Sequence, residues 1–261
     1  MKKKKNFCLH DEVYSPKDIT TVLDMAVDDS CLRGNNKKQK FFDIPVCFDI
    51  ETSSFYKSGD NYLSYEQYVK LGVKLEKCSC MYVWQFGING YCIVGRTWEE
   101  FTEMMETISD YLQLSEDRRL IVYVHNLAYE FQFIRNRFTW NKVFSIDLRK
   151  PIYAITESGI EFRCSYLLSG YSLAKLGGQL MKYKCEKMVG DLDYSLLRHS
   201  KTPLTEKEMG YCLNDVKVVM CYIQEMIERY KGITHLPITK TGFVRKYCRK
   251  HCLYCEDEFG K

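Results

Sequence analysis

No apolar run in this 261-residue chain approaches the length of about 20 residues that crosses a bilayer, which excludes a membrane-spanning helix. The opening Met1-Lys-Lys-Lys-Lys-Asn6 lacks the apolar stretch of a signal peptide, so a soluble protein of the cytoplasm is expected. No internal repeat is evident, so no stacked array is expected. Neither charge sign dominates: 38 Lys and Arg face 34 Asp and Glu, and a net charge of +4 permits a nucleic-acid partner without requiring one. A disulfide framework is missing too. The 13 cysteines are odd in number and scattered through helical and alternating patterns, which fits a reducing compartment. Cys248, Cys252 and Cys255 with His251 are zinc-ligand types, but no second pair lies nearby to complete a structural site.

What is present is ample apolar material, 46% of residues, enough for a sizeable core in one main domain. The expected organisation is a polar N-terminal arm over 1–40, ending in a lysine-rich linker at 34–40, then a domain over 41–232 and a basic C-terminal segment over 233–261.

The stretch 46–54 organises the rest. The apolar run 44–48 leads into Asp49 and Glu51, and alternate residues of a strand point to one face, so two carboxylates share one side of a strand end. Such a pair is costly unless a cation neutralises it, and hard oxygen donors suit Mg²⁺ or Mn²⁺. Other close acid pairs, Asp191/Asp193, Glu206/Glu208 and Glu256/Glu258, lack an apolar strand in front and read as solvated.

Along the chain, 55–77 reads as a long loop or insertion with a helix at 65–75. Segments 79–86 and 91–95 flank Asn89-Gly90 and read as a hairpin, followed by a helix over 98–114 capped by Thr97. A strand at 120–124, a helix over 127–137, a second hairpin at 152–155 and 160–166, and helices over 172–182 and 205–231 complete the order. Thr205 and Glu208 form a capping-box start for the last of these. This alternation predicts an α/β fold, a mixed sheet of five or so strands flanked by helices.

Two later segments carry further acids. In 123–134, Asn126 and Glu130 are four apart, and Glu130 sits among Tyr129, Phe131, Phe133 and Ile134, an unusually apolar setting for an acid. In 211–219, Tyr211 and Asp215 share one helical face. Each alone has a plain structural explanation: a cap, a surface acid, a helix-face pair. Together, four acids and a tyrosine in this order can hold two divalent ions, roughly 3.5–4 Å apart, which activate water and stabilise the leaving oxygen of a phosphodiester.

These segments resemble the three exonuclease motifs of the 3′–5′ proofreading domain of family B DNA polymerases, most closely the protein-primed polymerases of bacteriophages. Phe48-Asp49-x-Glu51-Thr52 is similar to the first motif, Tyr123-x-His125-Asn126-Leu127-x-Tyr129-Glu130 to the second, and Tyr211-x3-Asp215 to the third. Ser172-Leu173 is similar to the family's single-strand ligand motif, and 190–194 to the stretch bearing its DNA-contacting tyrosine. The resemblance implies a ribonuclease H-like fold and a metal-dependent exonuclease that releases nucleoside monophosphates. Asp49, Glu51, Glu130 and Asp215 would hold two Mg²⁺ or Mn²⁺ ions, and Tyr211 would orient the attacking water. Thr52, Tyr123, His125, Asn126, Tyr129, Ser172, Leu173 and Tyr194 would bind the single-stranded or frayed primer 3′ end. The aromatics among these also read as core residues, Tyr123 before Tyr129. A polymerase fragment or a priming protein is an implied partner.

Two departures stand out. The family usually has Asp where this chain has Glu130, and Val189 occupies the place of a catalytic lysine. Lys187, two residues earlier, shares a strand face with that place if the segment is extended, and is the candidate substitute. No Asp-Thr-Asp-like polymerase pair occurs, so polymerisation by this chain is not expected. A free-standing exonuclease and a non-catalytic module that binds a single strand or a partner remain open. Two-metal sites do not by themselves select the sugar, which leaves RNA as a further substrate class.

Overall fold

The computed structural model of the chain describes residues 6–35, 38–188, 193 and 196–252. Its strands are β1 (Val13–Tyr14), β2 (Leu32–Gly34), β3 (Lys40–Phe42), β4 (Val46–Ser58), β5 (Asn61–Leu63), β6 (Lys77–Ile88), β7 (Tyr91–Gly95), β8 (Arg118–Val124), β9 (Trp140–Asp147), β10 (Lys150–Thr156) and β11 (Ile160–Cys164). The helices are α1 (Ile19–Ala26), α2 (Tyr65–Leu71), α3 (Trp98–Tyr111), α4 (Leu127–Ile134), α5 (Ser165–Ser169), α6 (Leu173–Gly177), α7 (Glu206–Tyr230) and α8 (Lys240–His251).

All 11 strands join one mixed sheet whose spine runs β7-β6-β4-β8-β11. β6 is antiparallel to β4 and β7, whereas β8 runs parallel to β4 and to β11. Of these spine strands the third, second, first, fourth and fifth in chain order lie side by side, the ribonuclease H-like arrangement, with helices on both faces. The five or so strands expected are this spine; β1, β2, β3, β5, β9 and β10 extend it at edges and ends.

Alternation along β4 divides two cores. Val46, Phe48 and Ile50 are buried with residues of α1, α3 and α4, among them Leu23, Phe101 and Leu127. Cys47 points the other way and packs with Val216 and Met220 of α7. Asp49 and Glu51 continue the Cys47 row and so face α7. α7 is started by Thr205, whose hydroxyl accepts from the Glu208 amide at 3.2 Å while Glu208 Oε2 accepts from the Thr205 amide at 2.9 Å. It is held down by Leu213, Val216, Met220, Ile223 and Ile227, each side chain contributing about 1.5–3 kcal/mol when buried. The β6–β7 turn takes positive φ at Asn89 (46°) and Gly90 (97°), as an Asn-Gly pair favours. A Cβ at Gly90 would stand 1.8 Å from the Cys8 carbonyl oxygen, so only glycine fits beneath the N-terminal segment.

Several expectations are corrected. The polar arm expected over 1–40 contains α1, whose Ile19, Val22, Leu23 and Ala26 are buried in the main core, and β1 pairs with β7. The insertion read at 55–77 is partly strand, because β4 runs on to Ser58 and pairs with β5 and β6. α2 stops at Leu71 rather than 75, where Gly72 adopts a left-handed cap (φ 64°). The helix expected over 172–182 is confined to Leu173–Gly177, because the amides of 181, 182 and 183 all donate to Glu225 Oε1 at 2.7–2.9 Å. β9 was not anticipated. Among the described residues no helix is long and apolar enough to cross a membrane.

Candidate metal centre

The helices α4 and α7 converge on the first half of β4, which runs on past its acids to Ser58, so the pair does not stand at a strand end as expected. The β4 row supplies Asp49 and Glu51, α7 brings Asp215 opposite them, and one carboxylate oxygen from each lies within 4.8 Å of the others. Among the described residues this is the one such His, Cys, Asp and Glu group, so Cys248 and Cys252, both exposed, belong to none, and Cys255 lies outside the described residues. Glu130 enters from the first turn of α4, 5% exposed, and its Oε2 is buried without a hydrogen-bond partner. It stands outside the compact trio, yet after burial its charge is the largest influence on Asp49.

The electrostatics follow from burial and crowding. Burial, then the charges of Glu130, Glu51 and Asp215, push the Asp49 carboxyl well above its usual range. Burial and the Asp215 charge lift Glu51 to about 7, and burial chiefly lifts Glu130 to about 8. Asp215 is raised by burial and held back by Lys187. The Lys187 ammonium is ion-paired with Asp215 and lies 3.8 Å from the centre of the Tyr211 ring.

Lys187 reaches this place through Asn214, which the sequence reading did not single out. The Asn214 Oδ1 accepts from the Met188 amide at 2.7 Å and its Nδ2 donates to the Glu186 carbonyl at 2.9 Å, clipping 186–188 onto α7. A second missed residue is Arg198, 5% exposed. Its amide donates to Ser53 Oγ at 2.9 Å, its guanidinium binds Glu208 at 2.6 Å, and its charge favours the ionised form of Glu51. The only sequence signal for Asn214 is its place beside Asp215 within an amphipathic helix. Arg198 gave none, since its partners are distant in the chain.

The residues expected to contact a single strand divide. The Thr52 hydroxyl and Tyr129 phenol are hydrogen-bonded at 2.6 Å, with Tyr129 41% exposed. His125 bonds Ser165 through Nδ1 at 3.1 Å, its Nε2 is buried without a partner, and burial lowers its pKa to about 4. Asn126 is exposed at the start of α4 without a side-chain capping bond. Ser172 is exposed before α6 and Leu173 half-buried. Tyr123 is 1% exposed beneath α7, so it packs as a core residue and presents no ring to a strand. Val189, 190–192 and Tyr194 lie outside the described residues.

No family model matches the chain, and no curated protein matches it. Among solved structures, the chain is similar to Phi29 DNA polymerase complexed with single-stranded DNA, at a TM-score of 0.54 and 13% identity over 79% of this chain and 35% of that one. The same polymerase complexed with primer-template DNA and incoming nucleotide gives 0.54 and 13% over 78% and 34%. The catalytic core of RRP6 from Trypanosoma brucei gives a TM-score of 0.44 and 9% identity over 90% and 53%. The chain thus spans about a third of the length of the polymerase, and the likeness is one of fold.

Proposed function

We propose that this chain is a metal-dependent 3′–5′ exonuclease that hydrolyses single-stranded or frayed DNA ends to nucleoside monophosphates, a proofreading-type domain similar to that of protein-primed family B polymerases. The observation that carries the proposal is the trio of Asp49, Glu51 and Asp215, Glu51 buried and the other two half-buried, with oxygens within 4.8 Å and, among the described residues, Lys187 paired with Asp215. Its all-carboxylate donor set suits Mg²⁺ or Mn²⁺, and the unpartnered Glu130 Oε2 nearby has the burial and the orphaned lone pairs of a ligand awaiting a cation. Asp49, Glu51, Glu130 and Asp215 would hold two such ions, which when bound would supply activation of water and stabilisation of the leaving oxygen.

The chain's own groups do the rest. Tyr211, one turn before Asp215, orients the attacking water through its phenol. Lys187, fixed by Asn214, holds a positive charge at Asp215 where negative charge grows on the phosphate, a role for which a buried, pre-positioned ammonium is suited. The exposed Tyr129 ring, steadied by Thr52, offers a stacking surface for a terminal base, and His125, Asn126, Ser172, Leu173 and Tyr194 are assigned to the strand by resemblance alone. His125 is neutral at physiological pH and so serves as a hydrogen-bonding group, not a charge. A polymerase portion or a priming protein is the proposed associate.

The test is 3′-end shortening of 5′-labelled single-stranded DNA in Mg²⁺ and in Mn²⁺. Wild type should shorten the strand stepwise, and Asp49→Ala with Glu51→Ala should not, while its circular dichroism stays that of the wild type. Cleavage by the double variant would remove the assignment. Strand retention without shortening in both metals would instead establish a binding module.

A further inference from the structure

Gln85 on β6 is fully buried, and neither its amide nitrogen nor its amide oxygen meets a hydrogen-bond partner. A carboxamide with both ends unsatisfied is rare in a native interior and needs a reason. The strand register supplies one. Gln85 is the cross-strand partner of Asp49 on one side and of Val94 on the other. Directly opposed residues of an antiparallel pair share a face with Cβ atoms about 4.5–5.5 Å apart, a gap that an amide on three rotatable bonds spans. The unsatisfied group therefore lies beside the first acid of the metal centre. Asp49 in turn receives no hydrogen bond from the described residues, whereas Asp215 has Lys187. Arg198, the buried guanidinium whose charge acts on Glu51, is committed to Glu208.

We infer that Gln85 is a positioning residue for Asp49: its amide N–H donates to a carboxylate oxygen of Asp49 and fixes the carboxylate's orientation in the loaded site. The inference rests on the metal-centre reading above. The side-chain type fits the task. A lysine or arginine there would compete with the cation, a glutamate would add to the repulsion, and a serine would fall short of the neighbouring strand. A carboxamide is neutral, long enough and a donor. Groups of this kind, which orient a ligand without touching the ion, typically change metal affinity by about 10- to 100-fold when removed.

The experiment is calorimetric titration of the full chain with Mn²⁺, comparing wild type, Gln85→Met, Gln85→Leu, and Asp49→Ala with Glu51→Ala as the site-less control, alongside metal-free melting temperatures. Gln85→Met and Gln85→Leu keep the volume and remove the unsatisfied amide. The expected result is a loss of about tenfold in Mn²⁺ affinity in both variants, with metal-free melting temperatures equal to or above that of wild type. Wild-type Mn²⁺ affinity in either variant overturns the inference. So does failure of both to fold, or a lowered metal-free melting temperature with affinity unchanged, since each makes Gln85 a packing residue. A wild type that takes up no Mn²⁺ is a separate result and sinks the metal-centre reading itself.

Discussion

The two faces of the central sheet are built from the same strands and solve different problems. On the face closed by α1, α3 and α4, Phe48 stacks on Phe101 at 4.4 Å, Trp84 meets Phe101 edge-on at 5.2 Å, and even the Trp84 indole N–H is satisfied, donating to the Thr97 carbonyl at 2.7 Å. On the face closed by α7, the row that starts with Cys47 becomes Asp49 and Glu51, with Gln85 beside them and Asp215 above. The first face spends its contacts on stability. The second leaves acids crowded and polar atoms unpartnered, which a core selected for stability alone would not retain. A local conflict of this kind, confined to the patch where β4, β6 and α7 meet, marks the place where binding and not packing chose the residues.

Substitutions on the two faces should therefore move stability in opposite directions. Phe101→Ala should cost about 3–5 kcal/mol, read as a lowered denaturant midpoint. Asp49→Ala with Glu51→Ala should raise the metal-free midpoint, because it removes mutually repelling charges, while abolishing cleavage. A lowered midpoint in the double variant would erase the contrast. Glu130 sharpens it further. Glu130→Gln keeps size and removes charge, so nearly all cleavage should be lost, and Glu130→Asp should cut slower than wild type because the shorter carboxylate retreats from neighbours fitted to the longer one. Initial rates in Mg²⁺ decide this, and faster cleavage by Glu130→Asp would mean a degenerate site instead of an adapted one. Lys187→Met should lower the rate by roughly 10²–10³-fold, as for loss of one pre-positioned electrostatic group, with little change in the strand affinity measured by fluorescence anisotropy.

The smallest effect is on pH. In the unfolded chain Glu51 and Glu130 release their protons near 4.5, but the folded site holds them until about 7 and about 8. Over that interval the folded state keeps protons that the unfolded state has lost, so the stability these groups contribute is fully present below pH 4.5 and lost as pH rises to about 8. Metal-free melting temperature should fall by a few degrees from pH 5 to pH 8.5, and saturating Mn²⁺ should flatten the slope, because cations take the place of protons. A melting temperature that rises over this range without metal would contradict the crowding of Asp49, Glu51, Glu130 and Asp215.

The spine of the fold was legible because its signals are local: Asn89-Gly90 for the first hairpin, Thr97 and Thr205 with Glu208 for helix starts, and continuous apolar runs for β4 and β8. β9 was not, since seven of its eight residues are exposed and no buried row imposes a pattern. α1 was hidden because eight residues of a buried helix sit between lysine-rich runs that dominate the composition. In the site, Asp49, Glu51 and Asp215 could be found from strand and helix spacing, and Lys187 from its offset to Val189. Asn214, Arg198 and Gln85 could not, because what distinguishes them is tertiary: a clip on a loop, a tie across 145 residues, and a register with Asp49.

The ladder between β4 and β6 pairs Glu51 with Val83 but Thr52 with Met81, so Tyr82 is an extra residue at the point where the acids end. Such a break works as a slip joint. A one-residue shift in a continuous ladder turns every side chain to the opposite face, but here the outer ladder, with β5 and α2 attached, is already offset from the inner one. Segment 55–78, beyond the Ser53–Arg198 tie, can change length or pairing while the inner ladder keeps Asp49 and Glu51 turned toward Asp215. The outer hairpin is accordingly the part of the domain free to diverge, and the natural place to graft or trim without retuning the chemistry.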